Sequence, residues 1–245
     1  MRLTSLFLVL VGLAVGPTMA RADFIPIGPP HTGELGHAAI LEGLYSPGSA
    51  WSAIPRPGGP TVDYSNGVLT AVRVDDYGRG GMVDVNGGVA GLMDDRLWIG
   101  GPVLATARAR FASHKQILGY STNGQTGDFI ELFEAQGSGL NVTGSAQLTL
   151  PAGQSWSWTR SGTGNVWFSE PAYSPDTLDH LVTYQITGLN DGYNRWMLFW
   201  EDLPNLGDGD YNDFVVELSA PVPEPAAVVA LALGAGLLAR RRAAA

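Results

Sequence analysis

The chain has 245 residues, 45% of them hydrophobic, with 33 glycines, 16 prolines, no cysteine and a formal net charge of −9. This length allows one substantial core, and the missing cysteine excludes disulfides and thiol chemistry. Setting aside Arg2, Arg21, Arg240, Arg241 and Arg242 at the two ends leaves nine of the 14 basic residues against 23 acidic ones, a net charge of −14. A surface of that sign excludes nucleic acid as a partner and favours cations or neutral polymers.

At the N-terminus Arg2 precedes an apolar run from Leu6 to Val15, then Gly16-Pro17 and an Ala20-Arg21-Ala22 cleavage pattern. Residues 1–22 read as a signal peptide, too short in the apolar part to span a membrane. Residues 23–60 form an N-terminal extension. In it Leu35, Ala38, Leu41 and Tyr45 recur at helical spacing, so a short helix is expected from Thr32 or Gly33 onward. His37 is expected on its surface or partly packed. Ser46 to Pro60 carries Pro47, Pro55, Pro57 and Pro60 and is expected as a loop that no strand crosses.

Short apolar runs with turn residues between them then follow: Val68–Val74, Arg96–Ile99, Val103–Ala112, Ile117–Ser121, Phe129–Ala135, Ala146–Leu150, Val166–Ser169 and Leu181–Thr187. In Val103–Ala112, Val103, Ala105, Ala107 and Ala109 alternate with Thr106, Arg108 and Arg110, which predicts a strand with one buried and one basic face. Gly78–Gly91 and Gly137–Gly144 read as loops. Asp75-Asp76 and Asp94-Asp95 read as solvated strand ends. The expected class is all-β: a single β-sandwich or jelly-roll-like domain over residues 61–219, with one short N-terminal helix and a C-terminal hydrophobic helix.

The stretch Arg195 to Leu218 organises the chain. Trp196, Leu198 and Trp200 fall on one face of a strand, with Met197 and Phe199 on the other. An acidic turn leads from there into Phe214-Val215-Val216, and the whole reads as a hairpin. Glu201, Asp202, Asp208, Asp210, Asn212 and Asp213 crowd the turn with no Lys or Arg among them. Calcium wants six to eight oxygen ligands at about 2.3–2.6 Å, and these six side chains are the candidate metal ligands. Asp208, Asp210 and Asn212 open like an EF-hand loop, but Asp213 stands where glycine is needed and Ser219 where the closing glutamate belongs, so an EF-hand is rejected. Because neighbours on an extended segment point to opposite sides, only one of Glu201 and Asp202 faces the turn. Two readings stay open: a calcium site, or a plain polar turn bonded to its own backbone.

Trp156 and Trp158, two apart on one strand, are the candidate ligand-binding residues, as exposed rings on which sugars stack; core packing is the alternative. For an enzyme the chain offers no Gly-x-Ser-x-Gly elbow, no His-Glu-x-x-His and no phosphate loop. Glu131, Glu134, Glu170 and Glu201 are carboxylates that could serve a glycoside hydrolase.

Residues 220–245 differ in character. Pro223-Glu224-Pro225 is followed by fourteen apolar residues, Ala226 to Ala239, and by Arg240, Arg241 and Arg242. At about 1.5 Å per residue this helix spans a hydrocarbon core only marginally, with its arginines snorkelling. The three-part arrangement resembles the PEP-CTERM sorting signal. That resemblance implies export, a short transmembrane helix, processing by an exosortase-type enzyme and association with extracellular polysaccharide or a biofilm. Trp200-Glu201-Asp202-Leu203-Pro204 followed by Asp208, Asp210, Tyr211, Asn212 and Asp213 is similar to the C-terminal end of a β-rich bacterial domain of unknown function. That resemblance implies a β fold and a suspected calcium site, and no reaction. The expected protein is non-enzymatic and calcium-stabilised, held first as an inner-membrane-anchored precursor and then at the cell surface or in the extracellular matrix. The alternative is a carbohydrate-binding module using exposed tryptophans.

Overall fold

The computed structural model describes residues 25–55, 62–74, 81–87, 94–123, 128–162 and 164–222. The signal peptide, Asp75-Asp76, and the tail with Pro223, Glu224, Pro225 and its arginines lie outside the described residues. Among the described residues the fold is all-β with one short α-helix. Helix α1 (His37–Tyr45) precedes fifteen strands: β1 (Ser52–Pro55), β2 (Val62–Ser65), β3 (Thr70–Arg73), β4 (Met82–Asp84), β5 (Asp94–Ile99), β6 (Val103–Arg110), β7 (Gln116–Ser121), β8 (Ile130–Ser138), β9 (Asn141–Thr143), β10 (Ser145–Leu148), β11 (Ser157–Ser161), β12 (Val166–Phe168), β13 (Leu181–Thr187), β14 (Tyr193–Trp200) and β15 (Phe214–Pro221). No helix among the described residues is long and apolar enough to cross a membrane.

Eight strands form one sheet in the order β1-β2-β3-β13-β14-β15-β6-β10, and five form another in the order β12-β11-β7-β8-β9. Alternation in β14 decides how they pack. Trp196, Leu198 and Trp200 join Ala105, Leu118, Trp98 and Trp158 in the core between the sheets. Met197 and Phe199, on the opposite face, meet Ile40 and Leu41 of α1. The larger sheet is therefore buried on both sides at its centre, and the helix covers what the second sheet leaves open. In β6 the alternate residues Val103, Ala105, Ala107 and Ala109 are buried as the period-two pattern requires.

Several expectations are corrected. The Pro-rich segment does carry a strand: β1 pairs antiparallel with β2 at the outer edge of the sheet, with Pro55 at its last position, where a missing N–H costs no ladder bond. The glycine-rich stretches hold β4 and β9, three residues each. Asp94 and Asp95 are not solvated but buried, and Asp94 is ion-paired with Arg96. His37 is no surface residue. It is 3% exposed, packed on Phe199 with ring centroids 4.1 Å apart, because the helix starts four or five residues later than expected and turns this ring into the sheet.

Candidate functional site

The hairpin β14–β15 runs in register from Tyr193 opposite Pro221 to Trp200 opposite Phe214, and its connection, residues 201–213, is the acidic turn. Glu201 and Asp202 take different partners. The Glu201 carboxylate faces the turn, where Oε1 accepts from Leu203 N (3.2 Å) and Oε2 from Gly209 N (3.2 Å). The Asp202 carboxylate is held by side chains of the interior. Its Oδ2 accepts from Gln116 Nε2 (2.7 Å) and from Arg160 Nη2 (3.1 Å), while its carbonyl accepts from Arg160 Nη1 and Trp167 Nε1. Asp202 is thus paired with a guanidinium that is itself fully buried, while a carboxylate oxygen of it also lies within 4.8 Å of those of Glu201 and Asp213.

The remaining acids gather in two adjoining groups. Glu201 and Asp213 lie beside Asp202; Glu34, from the segment before α1, joins Asp208 and Asp210. Within each group the carboxylate oxygens lie within 4.8 Å of one another. Burial is the main reason Glu201 and Asp213 are pushed well above the ordinary carboxylate range; Asp213 next to Glu201, and Asp202 next to Asp213, push each further. Asp210 is raised to about 6, again chiefly by burial. Asn212, fully buried, gives its backbone N–H to Asp210 Oδ1 (3.1 Å) and its amide Nδ2 to Asp210 Oδ2 (2.8 Å).

The turn backbone is strained and held from outside. Asn205, Leu206 and Tyr211 have φ of 59°, 65° and 55°, a region that residues with a Cβ seldom occupy. Asp176 Oδ2 accepts from Asn205 N (2.8 Å), and Tyr211 donates its hydroxyl to Asp179 O (3.0 Å). Gly207 has φ of 44°, and a Cβ there would lie 2.7 Å from Glu201 Oε1. Only glycine lets the backbone come this close to the carboxylate. His180 props the other side, stacked on Trp167 at 3.9 Å with its Nε2 against Asp176.

Beside Asp210 lies a cleft of about 410 Å³ lined by Ile27, Gly28, Pro30, His37, Tyr64 and Arg73 among others. His37 lies along its wall, with Nδ1 against Tyr184 Oη (3.0 Å) and Nε2 against the Asp210 carbonyl (3.0 Å). Its value is lowered to about 3 by burial, with Arg73 adding to the effect. The folded state therefore resists a proton that the unfolded chain takes up near 6.5, so His37 contributes stability that is intact above that pH and is lost as pH falls toward 3. Against parent protein in urea melts at falling pH, His37→Gln is expected to remove a loss of up to about 1.4 kcal/mol per pH unit. Parallel curves would remove His37 as the source.

Trp156 and Trp158 are 1% and 0% exposed and meet edge to face at 5.9 Å. They belong to the inter-sheet core, as do Trp98, Trp167, Trp196 and Trp200, and no sugar can stack on them. Hydrophobic residues alternating on a strand look the same from sequence whether the face is wet or covered by a second sheet. The carboxylates weighed for hydrolysis also part company: Glu134 pairs with Lys115 (2.5 Å), and Glu170 caps a short 3-10 turn through Ala172 N. Glu34, Arg160 and Gln116 were invisible as site residues, since they reach the turn from elements far away in the chain and carry no local pattern.

Residues 140–220 match a family described as a domain of unknown function, DUF4114. No curated protein matches. Among solved structures, a Chromobacterium violaceum lectin, CV2L, in complex with alpha-methyl-fucoside is 16% identical with a TM-score of 0.37, covering 53% of this chain and 99% of that one. A Ralstonia solanacearum high-affinity mannose-binding lectin is 21% identical with a TM-score of 0.34, with the same coverage. A likeness of this degree says nothing of what this chain binds.

Proposed function

We propose that the chain is an exported, non-catalytic β-sandwich module whose acidic turn is closed by a calcium ion, and that it acts at the cell surface in contact with extracellular polysaccharide. The observation that carries the cation is the charge imbalance of the turn. Glu34, Glu201, Asp208, Asp210 and Asp213 converge there, while the buried guanidinium nearby, Arg160, is taken by Asp202. Carboxylates so placed need protons or a cation between them. A donor set of oxygens alone suits calcium better than a transition metal.

Export and sorting are supported by the two ends of the sequence, with Pro223-Glu224-Pro225 and the terminal arginines as the features an exosortase-type enzyme and the membrane would meet. Contact with polysaccharide is supported by that export and by a net negative body that suits neutral polymers, and not by Trp156 or Trp158.

Thermal melting of the chain tests the cation. Against a chelated baseline, calcium at about 100 times its Kd adds about 2.7 kcal/mol, a rise in Tm of roughly 5–10 °C for a domain of this size. Magnesium at the same concentration is expected to do less, since it holds its own waters more tightly. Equal melting in calcium, magnesium and chelator would leave a plain polar turn.

A further inference from the structure

We propose that the cleft where the segment before α1, the first turn of α1, strands β2 and β3 and the acidic turn meet is a sugar subsite, which holds a neutral pyranose unit of a polysaccharide against the ring of Tyr64. This rests on the reading of the chain as a module in contact with polysaccharide and gives that contact a place.

The shape comes first. The cleft has a volume of about 410 Å³, toward the lower end of the range of small-molecule sites, roughly 300–1,000 Å³. It suits a short piece of a polymer and not a folded partner. It stays open because Gly28, Gly36, Ala38 and Ala39 on its walls carry little or no side chain.

Tyr64 supplies an aromatic wall. Unlike Trp156 and Trp158 it is partly exposed, so a ligand can reach it. Tyr184 meets it edge on with ring centroids 5.7 Å apart, and His37 lies 6.4 Å away on another side. The ring is therefore set in place before anything binds, which spares the ordering cost of a mobile side chain. A fixed, accessible phenol ring presents the apolar surface on which the C–H face of a pyranose packs.

The polar groups on the cleft are of both signs. Asp210 brings a carboxylate and Arg73 a guanidinium, and these residues are 2% and 1% exposed. Both are already oriented by the protein: Asp210 Oδ2 accepts from His31 N (3.1 Å) and from Asn212 Nδ2 (2.8 Å), and Arg73 Nη1 donates to Ile25 O (2.9 Å). His37, on the same wall, is uncharged at neutral pH. A hydroxyl both gives and takes a hydrogen bond, so a neutral sugar uses an acceptor and a donor together. A polyanion is repelled by Asp210 and by Asp208 and Glu34 beside it, and an organic cation by Arg73.

The test is affinity electrophoresis of the full chain in gels that contain dextran or galactomannan, both neutral, or hyaluronan, an anionic polymer. Parent, Tyr64→Ala and Ala39→Leu are compared. Ala39 is exposed on α1 and leucine is a good helix former, so Ala39→Leu narrows the cleft without touching the core and guards against a misfolded Tyr64→Ala. The expected result is retardation of the parent by at least one neutral polymer and not by hyaluronan. Both variants are expected to lose it, with Kd weakened about tenfold or more and the melting of Ala39→Leu unchanged. Equal retardation of parent and both variants by a neutral polymer would overturn this cleft as the subsite and leave the polysaccharide reading standing. Retardation by hyaluronan alone would overturn the neutral ligand, and no retardation of the parent by any of the three would overturn the subsite and the polysaccharide reading together.

Discussion

Asp202→Ala is expected to destabilise the domain by about 3–5 kcal/mol, read as a lower urea midpoint at constant m-value. The Arg160 guanidinium has no exposed surface, and Asp202 is its ion-pair partner at 3.1 Å. Burial lowers Arg160 only to about 10, so it stays charged at neutral pH. Removing the carboxylate leaves that charge against Gln116 and one carbonyl. Replacing both partners by apolar side chains, Arg160→Met with Asp202→Leu, should recover much of the loss, as buried ion pairs often allow. The drop should be the same in calcium and in chelator, because the Asp202 carboxylate is committed to Arg160 and Gln116. An unchanged midpoint for Asp202→Ala would sink the ion-pair account; a loss confined to calcium would put Asp202 in the ligand set.

Trp158→Ala is expected to cost about 3–5 kcal/mol as well. Trp158 has no exposed surface and lies edge to face with Trp98 at 6.1 Å and Trp156 at 5.9 Å. The cavity left behind would be walled in part by the Trp98 indole on β5 and the Trp156 indole just before β11, both held in the core. Loss of polysaccharide retention with unaltered melting would mean that the ring is a contact residue after all.

The hairpin was legible because its signals are local. The 196/198/200 and 197/199 alternation predicts two buried faces, and both are filled, one by the second sheet and one by α1. What covers a face is not local, and so two features went unread. Trp156 and Trp158 look like a binding stripe until Trp98 and Trp196 are placed over them. Glu34 looks like an ordinary charge near a helix start until the fold carries it across to Asn212, 178 positions away. Short edge strands such as β1 escaped for another reason. Pro55 forbids a strand only where both neighbours need its N–H, and whether a strand has two neighbours is settled by the sheet.

The place of β15 in its sheet has a mechanical consequence. It is laddered on both sides, to β14 over its whole length and to β6 from Phe214 opposite Arg110 to Ser219 opposite Leu104. The acidic turn joins it at Phe214, and the chain leaves at Pro221, eight residues and roughly 25 Å away at the usual rise of a strand. Tension applied at the departing end runs along the strand and meets both ladders in shear, so their bonds share the load and do not open one by one. The acidic turn, at the far end of the same strand, is held away from whatever pulls.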